Sequence, residues 1–243
     1  EAIPVNGTPE EAMKSFPKAG AGTDFDRALS HFPSVRVAVV GDLMVDQFVY
    51  GVVERISPEA PVPVVDVERE VFLLGGAANV VNNLRALGAR VELVGAVGAD
   101  AMGELLRGEL GQLGVSCDGL VEIAGRPTAL KTRVIAQHQQ VVRFDRERKG
   151  PIPAAAVDAM VRQLNNWMPD LDAIVISDYG KGVVAPELMR ALVESARAAG
   201  VLIAVDPKPE NRSSYRGVTV VTPNVKETEA MAGLRARSDE EAV

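Results

Sequence analysis

Apolar residues fall in short, nearly unbroken runs, separated by longer stretches in which they recur at every third or fourth position. Residues 35–41 (VRVAVVG) form the first run, rich in β-branched side chains and closed by glycine. A strand covered on both faces reads this way, because neither face needs a polar side chain. Runs at 91–94, 173–177, 201–206 and 218–222 read alike. Helical spacing is predicted over 77–87, 100–113, 154–168 and 186–199, and Gly88, Gly114 and Gly200 stand where helices end. Strand and helix alternate, which implies βαβ units and an α/β fold of three layers, α/β/α, around a mainly parallel central sheet.

Two stretches break the alternation. Residues 47–74 hold strand-like pieces (FVYGVV, PVPVVDVE, VFLL) parted by proline and charge. Residues 120–145 hold TALKTRVIA and QQVVRFD, which predict a hairpin turning around 137–140. Both read as one small β-sheet projecting from the α/β core as a lid. Residues 34–243 then form a single domain with the lid segments 47–74 and 120–145 interleaved. Residues 1–33, punctuated by Pro4, Pro9, Pro17, Gly7, Gly20 and Gly22, read as an N-terminal extension with a short helix over 24–31.

The chain has 243 residues, 47% of them hydrophobic, which is ample for a packed core. With 26 Lys+Arg against 33 Asp+Glu, its net charge of −7 gives no electrostatic reason to expect nucleic acid as a partner. Cys117 is the only cysteine, so no intrachain disulfide forms, and this fits a reducing, cytoplasmic setting. No apolar run approaches the roughly 20 residues of a membrane span, so no membrane partner is expected.

Polar clusters gather where strands are predicted to end. Asp42 and Asp46 in GDLMVD follow the first strand, where ligands of open parallel sheets bind. They suit sugar hydroxyls, or else a solvated turn. Gly75 and Gly76 open a helix with Asn79 one turn in, which suits close ligand approach or a plain tight turn. SDYGKG carries Asp178 and Lys181, and Lys208 ends the next strand; an ammonium among glycines suits an anion. Asn224 and Glu227 in TPNVKETE are three apart at a helix start. They suit water-mediated Mg²⁺ binding, with a capping box as the rival. No GxxxxGK[ST] loop is present, and His31 and His138, the only histidines, read as structural or surface residues. Gly20-Ala21-Gly22-Thr23-Asp24 lacks a strand–turn–helix setting and reads as linker. Convergence on one sheet edge favours function over chance.

In this order, GDLMVD, LGGAANV, VGAVGADAMG and TPNVKETE resemble the ribokinase/PfkB carbohydrate kinase family over residues 35–243. ERISPEAPVPVV at 54–65, with SDYGKG and VDPK, narrows the resemblance to those members that phosphorylate D-glycero-β-D-manno-heptose 7-phosphate. The resemblance implies a ribokinase-like fold with ATP and Mg²⁺ as cofactors. It also implies transfer of phosphate to the anomeric hydroxyl, giving the 1,7-bisphosphate of lipopolysaccharide core heptose synthesis.

Residue by residue, Asp46, Gly75, Gly76 and Asn79 match the family's sugar-binding positions, with Asp42, Asp178 and Lys181 beside them. Asn224 and Glu227, with Lys208, match positions near the ATP phosphates, and Glu227 matches a contact to Mg²⁺ through water. Lys131, Arg133 and Arg143 on the lid strands are candidates for the 7-phosphate, or else solvated strand charge. Lid edges covered by a second copy imply a homodimer. The family's catalytic aspartate lies in a Gly-Ala-Gly-Asp motif downstream of the Asn-x-x-Glu motif, beyond Val243, so no catalytic residue is assigned here. A truncated or partly represented kinase is expected. The alternatives are a kinase of another sugar, or a non-catalytic sugar-phosphate-binding protein should 243 residues be the whole chain.

Overall fold

The computed structural model describes residues 23–137, 139–233 and 235. The expectations for 1–22 and for His138 lie outside them. The short helix expected over 24–31 is α1 (Thr23–His31).

The main sheet holds β1 (Arg36–Gly41), β4 (Arg90–Gly98), β5 (Leu120–Ile123), β8 (Ala173–Ser177), β9 (Leu202–Asp206) and β10 (Val220–Val221). Their order is β10-β9-β8-β1-β4-β5, and every pairing is parallel. Apolar residues of β1 alternate between two cores, as a strand covered on both faces requires. Ala38 and Val40 join Ile174, Ile176 and Val205 under α4 (Ala154–Trp167) and α5 (Pro186–Ala199). Val39 joins Leu93 and Val97 under α2 (Ala77–Ala86) and α3 (Ala101–Gln112). Burial of each such side chain stabilises the fold by about 1.5–3 kcal/mol. Helix ends follow local chemistry: Asp100 caps α3 by accepting from the Gly103 N–H, Pro186 opens α5, and Gly200 closes it at φ 73°.

The smaller sheet has the order β3-β2-β6-β7, built from β2 (Leu43–Ile56), β3 (Pro63–Gly76), β6 (Ala129–Ala136) and β7 (Gln139–Arg146). It is mixed, because β2 pairs antiparallel with β3 but parallel with β6. It differs from expectation in two respects. Residues 120–123, expected in the lid segment, pair with β4 in the main sheet instead. In addition, β2 begins at Leu43 and β3 runs to Gly76, so the smaller sheet grows directly out of the main sheet's carboxyl edge. The second strand of the expected hairpin, β7, is exposed along its whole length.

Candidate active site

The expected polar clusters meet along the carboxyl edge of the main sheet. Asp42 leaves β1 almost fully buried. Its Oδ2 accepts the backbone N–H groups of Tyr179 (2.9 Å) and Lys181 (3.0 Å), and its Oδ1 that of Val183 (3.1 Å). Burial pushes this carboxyl above its usual range, against the three N–H bonds that favour its charged form. Asp42 therefore spends its acceptors on shaping the loop after β8, leaving little for a sugar.

Asp178 does similar work from within that loop. Its Oδ2 accepts from the Tyr215 hydroxyl (2.6 Å) and the Asn211 amide (2.7 Å), and its Oδ1 accepts from the Gly180 N–H (2.7 Å). Tyr215 and Asn211 carried no motif in the sequence; only a tyrosine in a chain with three of them hinted at either.

Asp46 lies on β2, opposite Lys131 of β6 in register. Its Oδ1 is 2.5 Å from Arg133 Nη1, and the Arg133 guanidinium sits 5.1 Å from the centre of the Phe48 ring. Gly75 packs so closely on Asp46 that a Cβ there would strike the carboxylate. Gly76 adopts φ 57°, and the Ala77 N–H at the start of α2 donates to the Asp42 carbonyl (3.0 Å). Asn79, two residues on, is exposed. Asp46, Arg133 and Asn79, with Phe48, Leu73, Asn82, Glu109 and Gln112, line a cleft of about 500 Å³. These are groups that recognise a polyol: a carboxylate, a guanidinium and an amide around partly apolar walls.

The remaining cations are paired. Lys131 Nζ lies 3.0 Å from Asp145 and 3.8 Å from Glu147. Arg143 Nε lies 3.1 Å from Asp145, whose carboxyl is held below its usual range by Lys131 and Arg143 against its burial. Lys181 Nζ lies 2.6 Å from Glu147. Glu147 and Arg126 had drawn no notice in the sequence; Glu147 is hidden in the charged run RERKG, which reads as solvated turn.

At the other end of the edge, Asn224 and Glu227 form the capping box of α6 (Val225–Ala232), with both bonds at 3.0 Å. Glu227 Oε1 remains 3.6 Å from Lys208 Nζ. Partial burial and the Glu227 charge raise the Asp206 carboxyl. Burial and the charges of Asp206, Asp46 and Glu227 raise the Tyr179 phenol. Among the described residues no group of three or more His, Cys, Asp and Glu side chains could by itself hold a metal. No helix among them is long and apolar enough to cross a membrane.

The pfkB family carbohydrate kinase profile matches residues 35–243. Bifunctional protein HldE of Desulfatibacillum aliphaticivorans is 48% identical over 209 residues, which cover 86% of this chain and 43% of that protein. The protein of the same name from Citrifermentans bemidjiense is 48% identical over 219 residues, covering 90% of this chain and 44% of that one. The chain thus spans less than half the length of these curated relatives. Among solved structures, ribokinase of Arabidopsis thaliana, complexed with ribose and ATP, aligns with a TM-score of 0.61 at 16% identity over 86% of this chain and 65% of that one. The tetrameric inhibited form of Escherichia coli phosphofructokinase-2 aligns at 0.62 and 20% identity over 85% and 66%. At these identities the structures establish the fold, which is ribokinase-like.

Proposed function

The chain belongs to the pfkB family of carbohydrate kinases, and from that membership we propose that it forms the sugar-binding part of an ATP-dependent heptose 7-phosphate kinase. The substrate is D-glycero-β-D-manno-heptose 7-phosphate and the product is its 1,7-bisphosphate. The observation that carries this reading is the cleft itself: Asp46 and Arg133 on the smaller sheet face a cavity that Asn79 of α2 also lines. The heptose follows from the ERISPEAPVPVV resemblance, and the relatives named HldE support it.

In this reading Asp46 and Asn79 hold sugar hydroxyls, while the Gly75–Gly76 backbone lets the ring approach. Arg133 and Arg143 hold the distal phosphate, because guanidinium forks suit phosphate oxygens, while Lys131 stays paired with Asp145 and Glu147. Lys208, Asn224 and Glu227 lie toward the ATP phosphates. Asp206 and Glu227 are mutually repelling carboxylates on one rim, and such a pair suits a hydrated Mg²⁺ shared with phosphates. Mg²⁺, when bound, neutralises charge on the transferring group. The chain's residues supply alignment of the nucleophile, which accounts for much of phosphoryl-transfer catalysis. The smaller sheet excludes water from the cleft, and a homodimer forms through that sheet.

Calorimetry on this chain tests the reading. Heptose 7-phosphate should bind at least tenfold more tightly than fructose 6-phosphate or ribose, with Asp46→Ala weakening it tenfold or more. Equal affinity for all three sugars, or no effect of Asp46→Ala, would defeat it.

A further inference from the structure

Four segments of the chain cross between the two sheets: 41–43, 76–77, 124–128 and 147–153. All four are bonded to one pair of residues, Asp42 and Lys181. Asp42 is itself the first crossing, and its carbonyl accepts the Ala77 N–H of the second (3.0 Å). Its carboxylate accepts the Lys181 N–H (3.0 Å). The Lys181 carbonyl accepts from the Arg126 guanidinium of the third crossing. The Lys181 ammonium reaches Glu147 of the fourth at 2.6 Å.

The third and fourth crossings are also joined to each other, because Arg126 donates to the carbonyls of Arg148 (2.9 Å) and Gly150 (3.3 Å). Gly182, at φ 104°, lies so close to the Gly150 carbonyl that no Cβ fits between them. The Lys181 and Glu147 side chains are only 14% and 11% exposed. Salt screens such a shielded pair weakly, and removing one partner leaves the other charge poorly solvated. Glu147 Oε2 is buried and makes no hydrogen bond, so the carboxylate is held by the cations around it. An ammonium held in this way is not free to meet a phosphate.

We propose that Lys181 is a positioning residue: together with Asp42 it sets the orientation of the smaller sheet over the main sheet's carboxyl edge, and Arg126 and Glu147 act through it. The alternative role for Lys181 is direct contact with the substrate's phosphate. The two roles predict opposite effects of Glu147→Gln. If Lys181 contacts phosphate, removing the competing carboxylate frees the ammonium and tightens binding. If Lys181 positions the sheet, removing Glu147 lets the sheet sample more orientations, so ligand binding must order it and affinity falls.

The experiment has two readouts on this chain. The first is amide hydrogen exchange over 179–183, where the Tyr179, Lys181 and Val183 N–H groups donate to Asp42, followed by mass spectrometry with no ligand present. Glu147→Gln and Lys181→Met should each speed exchange there about tenfold, the scale of one charged hydrogen bond. The double variant should exchange no faster than either single one, because both remove the same link. Lys149→Gln removes a cation 3.9 Å from the same carboxylate but 74% exposed, so it should change exchange by less than twofold. Should Lys181→Met fail to fold, Lys181→Arg serves in its place, with partial retention of protection expected.

The second readout is calorimetry with heptose 7-phosphate, which should bind Glu147→Gln several-fold more weakly. Exchange within twofold of the parent in Glu147→Gln overturns the proposal, and so does tighter binding by that variant. The binding readout rests on the kinase reading, whereas the exchange readout does not. Absence of heptose phosphate binding in the parent therefore counts against the kinase reading alone.

Discussion

The Tyr215 hydroxyl donates to Asp178 Oδ2 at 2.6 Å, and the hydroxyl oxygen of Tyr215 accepts the Lys208 N–H at 2.8 Å. Both ends are buried, at 2% exposure for Tyr215 and 3% for Asp178. One phenol thus joins the loop after β8 to the segment after β9, and burial with the neighbouring Asp178 raises its pKa far above the ordinary tyrosine value. Tyr215→Phe keeps the ring in its pocket but strands an N–H and removes one donor from a buried carboxylate. It should lower stability by about 2 kcal/mol in urea denaturation. A loss under roughly 0.5 kcal/mol would mean that water replaces the hydroxyl there.

Asp100 predicts a pH dependence. Burial alone would raise its carboxyl, yet the N–H groups of Thr128 (2.8 Å) and Gly103 (2.9 Å) outweigh burial and hold it below the ordinary 3.8. A carboxyl whose folded pKa is depressed binds protons more weakly when folded. Its stabilisation is complete above the unfolded value and is lost as pH falls through the folded one. Asp100→Asn keeps the cap to Gly103 but cannot also accept from Thr128. It should cost about 1 kcal/mol at neutral pH, with the gap closing as pH falls below 3.8. Thermal melts of both proteins across that range check it; a gap that persists in acid excludes the carboxylate as its source.

The main sheet was legible because a strand buried on both faces leaves a run such as VRVAVVG that few other structures produce. Helix ends were legible through Gly200 and the Asn224–Glu227 pair, whose capping box forms. The β5 strand was not, because a four-residue run beside the lid strands carries no sign of which sheet it joins. The clustering of Asp42, Asp178 and Lys181 at strand ends was visible, but their partners were not. Sequence shows that a carboxylate stands at a sheet edge; it does not show that backbone N–H groups 137 to 141 positions away already fill its lone pairs. Arg126 and Glu147 escaped for the same reason, since neither long-range bonds from a guanidinium to carbonyls nor a long-range ion pair leaves a local period.

Gly75 predicts a steric effect on the cleft. A methyl group there would meet the Asp46 carboxylate at the cleft and, at 2.8 Å, the Cγ of buried Met44, which pairs with Gly75 between β2 and β3. Asp46 would turn away and its bond to Arg133 would break. Gly75→Ala should therefore weaken sugar phosphate binding by roughly tenfold to a hundredfold, the scale of a displacement of about 1 Å at a binding group. Circular dichroism should show the fold retained. Parent-like affinity in calorimetry would place the sugar away from Asp46.

The proposed homodimer makes the last prediction. β7 is an edge strand of the smaller sheet, with Val142 48% and Phe144 55% exposed, and the opposite edge strand β3 exposes Val67 and Leu73. An exposed edge bearing apolar side chains is a template for pairing with another chain unless something covers it. A second copy is the occupant that closes the β7 edge by symmetry, because a two-fold axis brings the same patch to itself. Sedimentation velocity on the parent should give a dimer at micromolar concentration. Phe144→Glu places a carboxylate in the centre of that patch, where burial without a partner is costly, and should give a monomer with unchanged circular dichroism. A parent that stays monomeric at tens of micromolar, or a Phe144→Glu variant that stays dimeric, would remove the smaller sheet as the interface.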